Sequence, residues 1–214
     1  MTGDRYVLYG AVLLALLGAG CASIAETRFY TLSGSSGLSE ARDSSLPLSS
    51  GPIFIDVMPV NVPERLARPQ LVIRTRGEGP QLFILEQDRW SSHFNHELRD
   101  AFATQIASRT GAINETRGSR MPGQRGYRIA IELGQFDAVV GEAVRARFGW
   151  TITRTTDGRS AACYSEVAEP AGGGIDGLVE GVRRTVSRVA AEISRTLVEL
   201  DTGQVAACSP RRGQ

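Results

Sequence analysis

The chain has 214 residues, 42% of them hydrophobic and 22% charged, which is the balance of an ordinary folded domain and not of a disordered or fibrous one. Its 24 basic residues, all of them arginine, face 23 acidic ones, so no net field is available to recruit nucleic acid or anionic lipid by charge alone.

The first 20 residues carry a short charged start (Asp4, Arg5), an apolar run from Val7 to Leu17, and small residues Gly18, Ala19 and Gly20 before Cys21. This is the layout of a secretory signal, and the run falls short of the roughly 20 residues a spanning helix needs. A cysteine directly after small residues resembles a lipobox, although the usual leucine three places earlier is Gly18 here. Cleavage after Gly20 and lipidation of the Cys21 thiol would anchor the chain, since two or three acyl chains hold stably where one holds only marginally. Ala22 stands where an aspartate would favour inner-membrane retention, so the expectation is the periplasmic face of the outer membrane.

Residues 21–50 are read as a lipidated N-terminus with a short strand, Arg28 to Leu32, and a serine- and glycine-rich tether. The folded body is expected over 51–203, with a tail at 204–214. Within the body, β-rich runs at Ile53 to Val57, Leu71 to Ile73 and Leu82 to Leu85 predict three strands. Phe94, Leu98, Ala101, Phe102 and Ile106 recur at helical spacing, predicting a helix from Ser91 to Arg109 with Trp90 on its apolar stripe and Gly111 closing it.

Tyr127 to Val139, Ala143 to Thr153 and Ser160 to Val167 read as an antiparallel meander, with Asp157-Gly158 supplying a hairpin turn. Gly172 to Gly174 form a flexible break. A second helix then runs from Asp176 to Leu200, with Leu178, Val182, Val186, Val189, Ile193, Leu197 and Leu200 on one stripe and Glu180, Arg184, Arg188, Glu192 and Arg195 opposite. The fold class is therefore α/β, a mixed, largely antiparallel sheet with two amphipathic helices.

Chemistry is sparse. The two histidines, His93 and His96, stand three apart on a predicted helix and suit solvation better than a metal, so no zinc site is expected. Glu78, Glu86 and Asp88 fall at a turn or strand end, and the glycine cluster lacks a Walker lysine, so no enzyme and no cofactor beyond the lipid on Cys21 is expected. Cys163 and Cys208 form an even pair for an oxidising compartment and are expected to bridge.

Several strings in order resemble the ABC-type transport auxiliary lipoproteins, the PqiC-like family that accompanies mammalian-cell-entry (MCE) lipid transporters. They are Phe29-Tyr30-Thr31-Leu32, Val62-Pro63, Arg68-Pro69-Gln70-Leu71-Val72, Asp88-Arg89-Trp90, Tyr127-Arg128-Ile129 and Ala146-Arg147-Phe148-Gly149-Trp150. The resemblance implies a three-layer α/β sandwich and a non-catalytic docking or conduit subunit for lipid traffic between membranes. Its implied partners are an MCE-domain protein and, through it, an ABC permease and ATPase, with room for a homo-oligomer and for phospholipid contact.

Arg68, Pro69, Gln70 and Arg89 are the candidate partner-facing residues, because proline fixes an exposed turn and arginine is enriched at interfaces. For Arg68-Pro69 the bland alternative is that the pair only sets the start of a strand. Trp90 suits the core better. The competing functional class is a lipoprotein accessory of another envelope machine, such as a peptidoglycan-synthase activator or a secretion-channel accessory.

Overall fold

The computed structural model describes residues 26–33, 51–77, 79–115 and 123–204. The signal segment, Cys21, Glu78, Cys208 and all but the first residue of the expected tail lie outside the described residues.

The elements in chain order are β1 (Arg28–Tyr30), β2 (Phe54–Val57), a single 3-10 turn (Glu64–Leu66), β3 (Gln70–Ile73), β4 (Phe83–Trp90), α1 (Phe94–Thr110), β5 (Ile113–Asn114), β6 (Gly126–Val139), β7 (Ala143–Arg154), β8 (Ser160–Pro170) and α2 (Gly174–Thr202). The expected α/β sandwich is formed, with its strands divided between a five-stranded sheet, ordered β5-β2-β6-β7-β8, and a three-stranded one, ordered β1-β4-β3.

The long meander forms because its apolar residues alternate. Ile129, Ile131 and Leu133 of β6, and Val144, Phe148, Trp150 and Ile152 of β7, are buried on one face, while Arg128, Glu132, Arg145 and Arg147 point out on the other. Both helices lie on the buried face. Phe102 of α1 meets Phe148 of β7 edge to face at 5.5 Å, and Arg109 of α1 donates to Ser187 of α2 at 2.8 Å. All seven residues of the expected α2 stripe are at most 4% exposed. Each such side chain contributes roughly 1.5–3 kcal/mol of burial.

Two single bridges extend strands alongside β6, and the one at Arg74 joins the small sheet to it. Asn61 continues the line of β2 beside Glu132, and Arg74 continues β3 beside Val139. The small sheet's inner residues Leu71, Ile73 and Trp90 close the core where Phe94, Leu178 and Val182 converge.

Three local expectations need correction. Trp90 is buried as expected but ends β4 instead of riding α1, and it stacks on Phe94 at 5.1 Å. Glu86 and Asp88 lie inside β4, because pairing with β1 and β3 extends that strand through a polar stretch whose composition reads as a turn. On the polar face of α2, Arg184 and Arg188 both pair with the buried Glu169 of β8, and Glu192 accepts a hydrogen bond from Ser165. The glycine break is a tight crossing, in which a Cβ on Gly177 would stand 2.6 Å from the backbone of Gly172.

The β7–β8 turn does use Gly158 in the left-handed region (φ 72°), with Asp157 accepting the Arg159 N–H at 3.1 Å. Asp157 itself keeps a negative φ, so this is a longer loop and not a two-residue hairpin turn.

Candidate docking surface

The residues expected to face a partner come together on the three-stranded sheet. Gln70 of β3, Arg89 of β4 and Phe29 of β1 are direct neighbours across the strands and therefore share a face. Val72 and Ile84 form the next pair on that face. The alternate residues Leu71, Ile73, Phe83 and Leu85 turn inward, leaving Phe29 67% and Ile84 45% exposed.

Glu86 fixes the polar part of this face. Gln70 Nε2 donates to its carboxylate at 3.3 Å, and Arg89 Nε donates to its backbone carbonyl at 2.7 Å. Arg89 and Gln70 are thus presented in set positions. Arg68 and Pro69 sit at the rim, where their carbonyls accept the backbone N–H groups of Phe94 (3.3 Å) and Trp90 (2.6 Å). The Arg-Pro pair sets the start of β3 against the β4–α1 junction and borders the surface.

β1 is locked to this sheet more firmly than three residues suggest. Arg28 pairs with Asp88 at 2.7 Å, and the Tyr30 hydroxyl donates to the same carboxylate at 3.1 Å. Burial, and then that hydrogen bond, push the Tyr30 phenol up to about 12. Beyond β1, the Thr31 carbonyl accepts from Arg183 of α2, and the buried Glu97 of α1 accepts from Leu32 N (2.9 Å), Thr31 Oγ1 (3.0 Å), Ser91 Oγ (2.5 Å) and Ser92 Oγ (3.0 Å). Burial alone would raise the Glu97 pKa. The donors outweigh it and hold the carboxyl below its ordinary value of 4.5.

Sequence reasoning missed Glu97 and Phe29. Glu97 reads as an ordinary polar residue of an amphipathic helix, and the one available signal is the Ser91-Ser92 pair just before that helix. Cys163 lies on β8 opposite Trp150, half-buried; its expected partner Cys208 is outside the described residues. His93 occupies the position just before α1, without a side-chain capping bond, and His96 sits in its first turn. Among the described residues no group of three or more His, Cys, Asp or Glu is placed to hold a metal.

The sequence profile described as the ABC-type transport auxiliary lipoprotein component matches residues 30–194. The chain belongs to this family. As an ABC-type transport auxiliary lipoprotein it is tied to an ABC transport system in an accessory role, and it is a lipid-anchored envelope protein by class. Among the described residues no helix is long and apolar enough to cross a membrane.

No curated protein matches the auxiliary lipoprotein in sequence. Among solved structures it is similar to an uncharacterised protein (TM-score 0.59, 18% identity, covering 80% of this chain and 99% of that one). It is also similar to a protein from Xanthomonas campestris (TM-score 0.52, 12% identity, covering 82% of this chain and 95% of that one). At these identities the likeness concerns the fold.

Proposed function

We propose that this auxiliary lipoprotein is the outer-membrane-anchored, periplasmic docking subunit of an MCE-type lipid transport system, held by lipid on Cys21. Its partner is an MCE-domain protein, and through it an ABC permease and ATPase. An inner-membrane ATPase cannot act on the outer membrane across the periplasm without a conduit and a docking point, and a lipid-anchored domain supplies that point.

The observation that carries this reading is the family match across residues 30–194. The surface fits it: an exposed aromatic, Phe29, beside Arg89 and Gln70 is the residue mix enriched at interface centres. Arg68 and Pro69 complete the partner-facing set. The crevice behind this sheet, lined by Leu66, Leu71, Trp90, Phe94 and Phe136, holds about 10 Å³ of free space, room for one water and not for an acyl chain. That favours docking over carriage of lipid within this crevice.

The Cys163–Cys208 disulfide belongs to the same reading, since the periplasm is oxidising. The test is a pull-down of the lipidated protein from detergent-solubilised envelopes, with mass spectrometry of its partners, its amino terminus and its unreduced peptides. An MCE-domain protein, an acylated Cys21 and a linked Cys163–Cys208 peptide are expected. A synthase or secretin in place of the MCE protein sinks the transporter reading, an unmodified Cys21 sinks the anchor, and separate cysteine peptides sink the bridge.

A further inference from the structure

Leu82 and Ile84, two residues apart at the start of β4, point to the same side and are 43% and 45% exposed, while Phe83 and Leu85 between and after them pack inward. They stand at the base of the β3–β4 connection, which also carries the exposed Arg76. β1 runs parallel to β4 with Arg28 opposite Asp88, so its N-terminal end points toward the Leu82–Ile84 end of β4.

We infer that this end of the small sheet rests on the bilayer that holds the anchor, with Leu82 and Ile84 at the boundary of headgroups and acyl chains, and that the Phe29–Gln70–Arg89 end is directed away from the membrane. The inference rests on lipidation of Cys21. Chain length carries it. Carrying the Arg28–Asp88 register back two residues puts Glu26 level with Glu86, so Leu82 is four residues, roughly 13 Å, further along the strand. Cys21 lies five residues before Glu26 and reaches at most about 18 Å from it. A tether of that length can reach the level of Leu82 and little beyond.

Peeling β1 away would lengthen the tether, but Asp88, Glu97 and Arg183 hold it on three elements. Two aliphatic side chains bind a membrane weakly by themselves. A covalent anchor converts that contact into an intramolecular one at high effective concentration. The occupant is the bilayer and not a second copy, because the anchor brings the membrane to this end of the molecule whatever the protein concentration.

The test uses the lipidated full chain in phosphatidylethanolamine and phosphatidylglycerol vesicles, with and without bromine on the acyl chains. Tryptophan is introduced singly as Leu82→Trp, Ile84→Trp, Phe29→Trp and Tyr164→Trp, all at exposed sites, against the fixed background of the buried Trp90 and Trp150. Leu82→Trp and Ile84→Trp should lose about half their added emission to bromine, as expected of residues seated at the acyl boundary, while Phe29→Trp and Tyr164→Trp keep theirs. Unquenched emission at 82 and 84 in a chain whose mass shows the acylated Cys21 overturns the orientation alone, as does quenching at 29 or 164 instead. Protection at 82 and 84 that tracks protein density in unbrominated vesicles overturns it in favour of a second copy. An unmodified Cys21 overturns the anchor and this inference together.

Discussion

The carboxylate of Glu97 accepts the backbone N–H of Leu32 at 2.9 Å, joining the first turn of α1 to the segment that follows β1. It is the most heavily bonded buried carboxylate of the small-sheet end, with three hydroxyl donors besides. Its role is to fix the path by which the N-terminal segment enters the body.

Glu97→Gln therefore replaces an acceptor with a group that turns an NH₂ toward those donors, and should cost about 2–3 kcal/mol in urea unfolding at neutral pH. The carboxyl pKa is lower in the folded chain than its ordinary value of 4.5, so its contribution is complete above that value and is lost as pH falls below it. Wild-type stability should decline below about pH 4.5 more steeply than that of the variant. Equal slopes would remove Glu97 from this role.

Gly177 tests the glycine-rich start of α2. Its absent Cβ would fall 2.6 Å from Gly172 Cα and carbonyl carbon and 2.8 Å from the carbonyl oxygen, all backbone atoms that cannot step aside. Gly177→Ala should lose about 1–3 kcal/mol through this overpacking, more than the ~1 kcal/mol an alanine gains in helix propensity. Gly173, with a φ of −63° and nothing within 4 Å of its would-be Cβ, should accept alanine within about 0.5 kcal/mol. Thermal melts of the two variants decide whether this segment is a tight crossing or a loose break.

At the other end of α2, Asp201 accepts from Arg125 at 2.8 Å and from the Tyr127 hydroxyl at 2.7 Å, and Arg154 donates to the same hydroxyl at 3.1 Å. Tyr127→Phe should cost about 1–2 kcal/mol. Burial first, then the bond to Asp201, raise the Tyr127 phenol from 10.0 to about 12. A raised folded-state pKa contributes stability that is whole below pH 10 and is lost as pH rises toward 12, so the variant should lose less over that window. Tyr30 shifts in the same direction and should leave a residual alkaline dependence in both proteins.

How much of this was legible follows from what each pattern depends on. The meander and the α2 stripe are one-face alternations set by burial, so Ile129, Ile131, Val186 and Ile193 can be placed from periodicity alone. β4 was read too short because Glu86 to Arg89 are polar, and only the partners Arg28, Tyr30 and Gln70, distant in sequence, make that stretch a strand. Trp90 was placed on the wrong element for the same reason, though its burial was read correctly. Of the candidate surface, Arg68, Pro69, Gln70 and Arg89 were named from residue type and family resemblance, and the structure gathers them around one sheet. Phe29 was missed because a phenylalanine in a strand reads as core unless the far side of its sheet is known to be bare.

The account stands on the claim that the Phe29–Gln70–Arg89 face docks an MCE-domain partner. A photo-crosslinking side chain placed singly at Phe29, at Gln70 and, as a control, at the exposed Tyr164 on β8 tests it in intact envelopes. The account predicts crosslinks to an MCE-domain protein from positions 29 and 70 and none from 164. Crosslinks to that protein only from 164, or from 29 and 70 only to an unrelated envelope protein, would contradict it.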